Sequence, residues 1–313
     1  LDVSCNLILQ SAFVNFTDHA PFTFYQNSKK QIPASFVRNG NTVTFQLPLY
    51  NTSETIVIDP WQSNPPFIGY NASYDIDYDN AGNVYVLGSN NPLEYAKFDN
   101  TGAWQWTYTM LGAYYAYGDF SVDPVTQISY LAEGKTGPTL VHQIDATGAL
   151  IAQGTSGNTE MWRMVFNPVT NEFIIGETGS TAEIMDVLLN FTNITVTLSV
   201  LNDNTLLAID ECGTSNDVYM AGNSGIMVKV PANTLGPVAW QSNTGYTFLY
   251  AGCRNVGGWT FPVQGYNGMT VSTNFLYTYD GDLLKKWNKN TGVLMNTLSV
   301  TGNPFQEGGL DAD

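Results

Sequence analysis

The stretch Tyr74-Asp-Ile-Asp-Tyr-Asp-Asn-Ala-Gly-Asn-Val-Tyr-Val-Leu-Gly88, followed by Tyr95-Ala-Lys-Phe-Asp-Asn-Thr-Gly-Ala-Trp-Gln-Trp106, decides how the rest of the chain is read. It contains four short β-prone runs, over residues 74–78, 83–88, 94–98 and 103–109. The turns Asp79-Asn-Ala-Gly82 and Asp99-Asn-Thr-Gly102 separate the first run from the second and the third from the fourth. Asp supplies local hydrogen bonds there, and Gly supplies the positive φ that a tight reversal needs. The first turn returns as Val122-Asp-Pro-Val-Thr126, Phe166-Asn-Pro-Val-Thr170 and Ile209-Asp-Glu-Cys-Gly213. Its leading residues Asp79, Asp123, Asn167 and Asp210 are therefore 44, 44 and 43 positions apart. The second turn returns as Asp145-Ala-Thr-Gly148, Asn233-Thr-Leu-Gly236 and Asn290-Thr-Gly292, and Gly148 to Gly236 is 88 residues, two such periods. The missing midpoint, 192, falls within residues 190–195, which read as a polar break before a strand over 195–200.

A period near 44 residues with four strands per unit is the signature of β-propeller blades. Runs such as Val84-Tyr-Val-Leu87 and Phe173-Ile-Ile-Gly176 are apolar on both faces, as a sheet packed between two neighbours requires. The spacing predicts an all-β chain with five blades over residues 74–300 and a β-propeller of about six four-stranded blades in all. The sixth blade is expected to combine residues 34–38, 42–49 and 55–61 with Gly309–Asp313. Seven blades is the alternative if a parent chain continues past Asp313. Residues 1–30 read as an N-terminal extension or cap, and 31–313 as the propeller. Ile184, Val187, Leu188 and Phe191 fall at helical spacing. The blade phase nevertheless places a third strand over Thr181–Phe191, and the strand is the reading adopted.

Composition bounds the function. The 313 residues carry 11 Lys and Arg against 27 Asp and Glu, a net charge of −16 that repels phosphate backbones and argues against nucleic-acid binding. No apolar run reaches the roughly 18 residues of a membrane-spanning helix, so membrane insertion is not expected. The chain opens at Leu1 without a basic-then-apolar leader, and Gly308–Asp313 reads as the start of another strand. A processed or trimmed piece of a longer parent is expected.

Several residue groups bear on chemistry. Asp75, Asp77 and Asp79, with Asn80 and Gly82, begin like a calcium loop, but Val86 stands where a bidentate acid belongs. Strand and turn chemistry, with Asp79 bonding its own turn, is the preferred reading, and calcium is the one cofactor considered. Of two histidines, His142 sits in a predicted third strand in a structural role, and His19 has no cysteine or histidine near it, which argues against a catalytic relay or zinc site. Arg38, Arg163 and Arg254 lie on separate segments, which argues against a sialidase-like arginine cluster. Thr101-Gly102…Trp106 matches an element that packs one blade on the next. Cys212 and Cys253 are the pair considered for a disulfide, which needs Cα atoms within about 7 Å.

The two ends of such a ring differ. Turns between first and second strands and between third and fourth lie at one end and are short and polar. Second-to-third loops and blade connections lie at the other and are rich in aromatics. Tyr70, Tyr114, Tyr115, Tyr117, Trp162, Tyr250, Trp259 and Tyr266 are the candidate ligand-binding residues there, because rings with polar tips suit sugar and protein contacts.

The runs 77–88 and 96–106, with Met161-Trp-Arg-Met-Val-Phe-Asn167, residues 276–288 and Glu307-Gly-Gly-Leu-Asp-Ala-Asp313, resemble propeller repeats of large Bacteroidetes surface proteins. The likeness is to the N-terminal regions of gliding-motility-associated, type IX-secreted, adhesin-like proteins, over roughly residues 55–313. The resemblance implies an extracellular, surface-attached, multidomain parent with a C-terminal sorting domain, and it implies no catalytic residues. The expected function is a non-catalytic cell-surface or secreted module for adhesion or structural assembly. Its partners would be a glycan or extracellular protein at the aromatic face, and other domains of the parent chain. The rival is a glycoside hydrolase or lyase at the channel mouth, with paired carboxylates about 5–9.5 Å apart.

Overall fold

The computed structural model describes residues 6–10, 15–18, 21–58, 64–68, 73–89, 92–110, 119–133, 139–155, 161–177, 181–201, 204–210, 216–222, 224–245, 253–256, 259–262, 268–279 and 283–299. These residues hold 28 strands and one 3-10 turn at Ser199–Leu201. They fall into two compact units, Leu1–Asn64 and Pro65–Asp313.

The first unit pairs β1 (Leu7–Gln10) with β2 (Asn15–Asp18), β3 (Thr23–Tyr25) with β6 (Ile56–Ile58), and β4 (Ser35–Asn39) with β5 (Thr42–Gln46). β4, β5 and β6 fall within or beside the strands expected at 34–38, 42–49 and 55–61, but they lie in two separate two-stranded sheets, β4–β5 and β3–β6, and not in one blade, because β6 bonds to β3 instead. The unit boundary lies at Asn64/Pro65 rather than at residue 30, because β3 and β6 bond to each other across the intervening hairpin. Phe24, Tyr25, Ile32 and Phe36 are its buried apolar side chains. The expected C-terminal contribution at Gly309–Asp313 lies outside the described residues.

The second unit is built on a repeat. Blade 1 comprises β7 (Ser73–Tyr78), β8 (Val84–Ser89), β9 (Leu93–Phe98) and β10 (Trp104–Met110). Blade 2 comprises β11 (Phe120–Val122), β12 (Ser129–Ala132), β13 (Val141–Ile144) and β14 (Leu150–Gly154). Blade 3 comprises β15 (Met161–Asn167), β16 (Glu172–Glu177), β17 (Thr181–Asp186) and β18 (Phe191–Thr197). Blade 4 comprises β19 (Asn204–Ile209), β20 (Asp217–Gly222), β21 (Ile226–Pro231) and β22 (Trp240–Asn243). A hairpin of β23 (Cys253–Val256) and β24 (Trp259–Pro262) precedes blade 5, which comprises β25 (Gly268–Val271), β26 (Phe275–Tyr279), β27 (Leu283–Asn288) and β28 (Leu294–Ser299). Each blade is an antiparallel meander in chain order. The first strands pack side by side in sequence, β7 on β11, β11 on β15, β15 on β19 and β19 on β25, which is a β-propeller-type arrangement.

The core lies between blades. Tyr85, Leu87, Leu93 and Tyr95 of blade 1 are buried against Phe120, Val122, Leu131 and Ile144 of blade 2. Equivalent layers join blades 2 and 3, 3 and 4, and 4 and 5. This burial on both faces explains the continuous apolar runs in the second strands, where simple alternation is lost. The outer strands β14 and β28 are largely exposed, with patterns that no longer favour one face.

One turn design recurs. At Asp79, Asp99, Asp145 and Asp186 the carboxylate accepts the N–H groups two and four residues on, at 2.8–3.0 Å. The residue three on takes a left-handed φ in each: Gly82, Gly102, Gly148 and Leu189. Residues 181–186 are strand, as the blade phase requires. The turn expected around residue 192 is instead at Asp186–Asn190, and 191–197 is strand β18. Leu189 at φ 63° holds the place of the usual glycine. Its side chain is buried and fills the space that a Cβ on Gly154 would occupy, 2.7 Å from Leu189 Cβ. Packing there overrides the local preference.

Candidate functional site

The same period that spaces the turns also aligns three ionisable side chains four residues upstream of them. Asp75, Asp119 and Arg163 precede Asp79, Asp123 and Asn167 by four positions and are 44 residues apart. Asp75 lies on β7, Asp119 immediately before β11 and Arg163 on β15, so three adjacent first strands carry them at one level. This level is where the chain enters each blade, the end of the ring at which the blade connections arrive.

Asp119 is 3% exposed. Its Oδ2 accepts the N–H of Met164 at 2.6 Å, and Arg163 Nη1 lies 3.7 Å from Oδ1. The Asp75 side chain is within hydrogen-bonding reach of the Asp119 carboxyl. Burial pushes the Asp119 carboxyl well above the usual carboxylate range, the Asp75 charge adds to this, and Arg163 and the Met164 N–H pull the other way. One step along, Asp77 Oδ2 accepts the N–H of Val122 at 3.1 Å. The free edge of a first strand would otherwise leave N–H groups unpaired, and carboxylates from the preceding blade satisfy them.

The candidate calcium residues do not converge. Asp79 is committed to its own turn: it accepts from the Ala81 and Asn83 N–H groups, from Asn83 Nδ2 at 2.7 Å and from the Tyr85 hydroxyl at 2.9 Å. Asp75 and Asp77 each accept the next residue's N–H as well as reaching toward blade 2. Among the described residues no group of three or more His, Cys, Asp or Glu side chains is arranged to hold a metal ion.

His142 is buried on β13 between two blades. Its Nδ1 is 2.8 Å from the Tyr108 hydroxyl of β10, and its Nε2 is 3.1 Å from Glu133 Oε1. Gln153 Nε2 also lies 3.1 Å from His142 Nε2. Burial, and then the Glu133 charge, raise the Tyr108 phenol above its usual range, so it stays protonated and is not activated as a nucleophile. The Thr-Gly…Trp element also joins blades. Trp106 of blade 1 covers Gly148 of blade 2 and donates Nε1–H to Ala146 O at 3.0 Å, and Trp240 covers Gly292 and donates to Lys289 O at 3.1 Å.

Of the aromatic candidates, Tyr70, Tyr114, Tyr115, Tyr117, Tyr250 and Tyr266 lie outside the described residues. Trp162 is placed on β15 and Trp259 on β24, with nothing described of their side chains. The same holds for Cys253 on β23, while Cys212 and His19 lie outside the described residues. In sequence, the segment holding Tyr114, Tyr115 and Tyr117 runs into Asp119, and Trp162 is next to Arg163. The acid–arginine group is not visible when Arg163 is set only against Arg38 and Arg254, which lie on distant segments. Subtracting four from each turn landmark finds it.

Residues 1–61 match the family described as "Domain of unknown function (DUF7948)". No curated protein matches the chain. Among solved structures, a chain in "Crystal Structure of Mitotic Checkpoint Complex" is similar with a TM-score of 0.54 at 14% identity, covering 82% of this chain and 76% of that chain. At that identity the likeness concerns the fold alone and agrees with the propeller-type repeat. A total of 1053 solved chains match.

Proposed function

We propose that this chain is a non-catalytic extracellular module for adhesion or structural assembly, which binds a glycan or a protein through its aromatic loop face. The observation that carries this reading is the commitment of the inner-strand carboxylates to blade-to-blade bonding. Asp77 and Asp119 accept N–H groups of the next blade, and Asp79 holds its own turn. The resemblance of the repeats to those of secreted, gliding-motility-associated adhesin-like proteins supports a cell-surface setting and a longer parent. The net charge of −16 fits a partner that is not nucleic acid. No helix among the described residues is long and apolar enough to cross a membrane.

We also propose a six-bladed ring, with one further blade between blade 5 and blade 1. Ile76 and Tyr78 of β7 are 66% and 54% exposed, on the face of blade 1 turned away from blade 2. A blade seated there would cover them as the other interfaces are covered.

The rival glycoside hydrolase or lyase needs two reachable carboxylates about 5–9.5 Å apart. Asp119 is buried and bonded to the Met164 N–H, which argues against its serving as one of the two. The discriminating experiment compares wild type with a Tyr114→Ala/Tyr115→Ala/Tyr117→Ala variant on a glycan array and in pull-downs. Loss of binding in the variant supports the aromatic face, and equal binding discards it. Turnover of a polysaccharide that disappears with one Asp or Glu substitution would replace the binding reading with the enzymatic one.

A further inference from the structure

We propose that Asp75 and Asp119 form a proton-sharing latch between blades 1 and 2, strengthened by acid and weakened as pH rises. Two carboxyl groups within hydrogen-bonding reach cannot both be ionised without strong repulsion, so one proton is held between them. The geometry leaves a place for that proton. Asp119 Oδ2 is taken by the Met164 N–H, whereas the buried Oδ1 accepts no N–H or hydroxyl. Asp75, on the packed neighbour β7, is in hydrogen-bonding reach of this carboxyl. The 44-residue period repeats this level three times and ends it with a cation, Arg163 on β15, 3.7 Å from Oδ1. Arg163 offsets a single negative charge on the pair, and a second is left uncompensated at a 3% exposed position.

The sign follows from linkage. Asp119 holds its proton in the folded chain to a higher pH than in the unfolded chain, where its carboxyl titrates near its ordinary value of about 3.9. Its contribution to stability is complete below that value and is lost as pH rises toward the folded value. Among the described residues, the groups facing Asp119 from its neighbours are Asp75 on β7 and Arg163 on β15, and the Asp77 carboxylate of β7 is engaged with Val122 one step away. The latch needs none of the aromatic-face reading and stands or falls separately from it.

Melting temperatures of wild type, Asp119→Asn and Asp75→Asn between pH 4.5 and pH 8.5 test the proposal. An amide at position 119 accepts the Met164 N–H and donates permanently to Asp75, mimicking the protonated acid without titrating. The expected result is an Asp119→Asn profile that gains on wild type with rising pH, by roughly 2–4 °C across the range. Asp75→Asn should gain in the same direction. Parallel profiles for wild type and both variants would overturn the latch. Infrared spectroscopy of wild type at pH 7 gives a readout that no variant's folding can obscure. A protonated-carboxyl C=O band lost in Asp119→Asn supports the latch, and absence of any such band in wild type overturns it.

Discussion

At the scale of single residues, most acidic side chains of the described propeller unit are conformational fasteners. Burial of Asp79 raises its carboxyl, but hydrogen bonds from the Asn83 side chain and N–H, the Tyr85 hydroxyl and the Ala81 N–H outweigh this and hold it below the usual range. Asp145 is lowered first by the Thr147 hydroxyl, then by the Ala149 N–H. In Asp186, too, hydrogen bonds from Asn190 and the Leu188 N–H outweigh a desolvation cost. A depressed folded value contributes stability that is present above the unfolded value and lost as pH falls through the folded one. Acid unfolding followed by circular dichroism should therefore begin below about pH 4, the ordinary carboxylate range. In Asp79→Asn that acid limb should be shallower than in wild type. A limb unchanged by the substitution would remove Asp79 from the acid response. This window lies below that of the Asp119 latch, so the two slopes are separable.

At the scale of elements, the third-to-fourth turns of blades 2 and 5 join the previous blade through a tryptophan and a glycine. Gly148 takes φ 89°, and a Cβ there would lie 2.7 Å from Trp106 Cδ2. Gly148→Ala should cost about 2–4 kcal/mol, combining left-handed strain with overpacking against the indole. A urea midpoint indistinguishable from wild type would show that the indole can move aside freely. The blade 3 turn solves the same problem with a leucine in the left-handed position, and Tyr130 and Gln143 of blade 2 bond to Val187 O where blades 1 and 4 use an indole N–H. A search for Asp-x-x-Gly cannot find that turn. The cue that was present is Asp186 with Asn190 four residues on, the frame shared with Asp79 and Asn83.

At the scale of the whole propeller unit, stability is held in shared layers, because each core cluster draws on two successive blades. Polar clamps follow the same plan: Lys289 of blade 5 pairs with buried Asp210 of blade 4 at 2.7 Å, and Tyr219 donates to Lys289 O at 3.2 Å. No blade keeps its core if a neighbour leaves. Leu131→Ala, at a fully buried site between blades 1 and 2, should cost about 2–5 kcal/mol. Tryptophan fluorescence and far-ultraviolet dichroism should report one common shifted transition. Separate transitions by the two probes would mean that the blades unfold independently.

The sequence by itself determined the repeat, its 44-residue period, and the strands of blade 1 to within about one residue, because turn chemistry and strand length are local properties. It also identified the Asp79 turn and the inter-blade place of Trp106. The tertiary structure alone decided where the N-terminal unit ends, that Leu189 replaces a glycine, and that Asp75, Asp119 and Arg163 meet. Those outcomes depend on what lies across a blade interface. A side chain's neighbours one period away in the chain are set by packing, and packing determines whether a carboxylate caps a turn, bonds a foreign N–H, or keeps its proton.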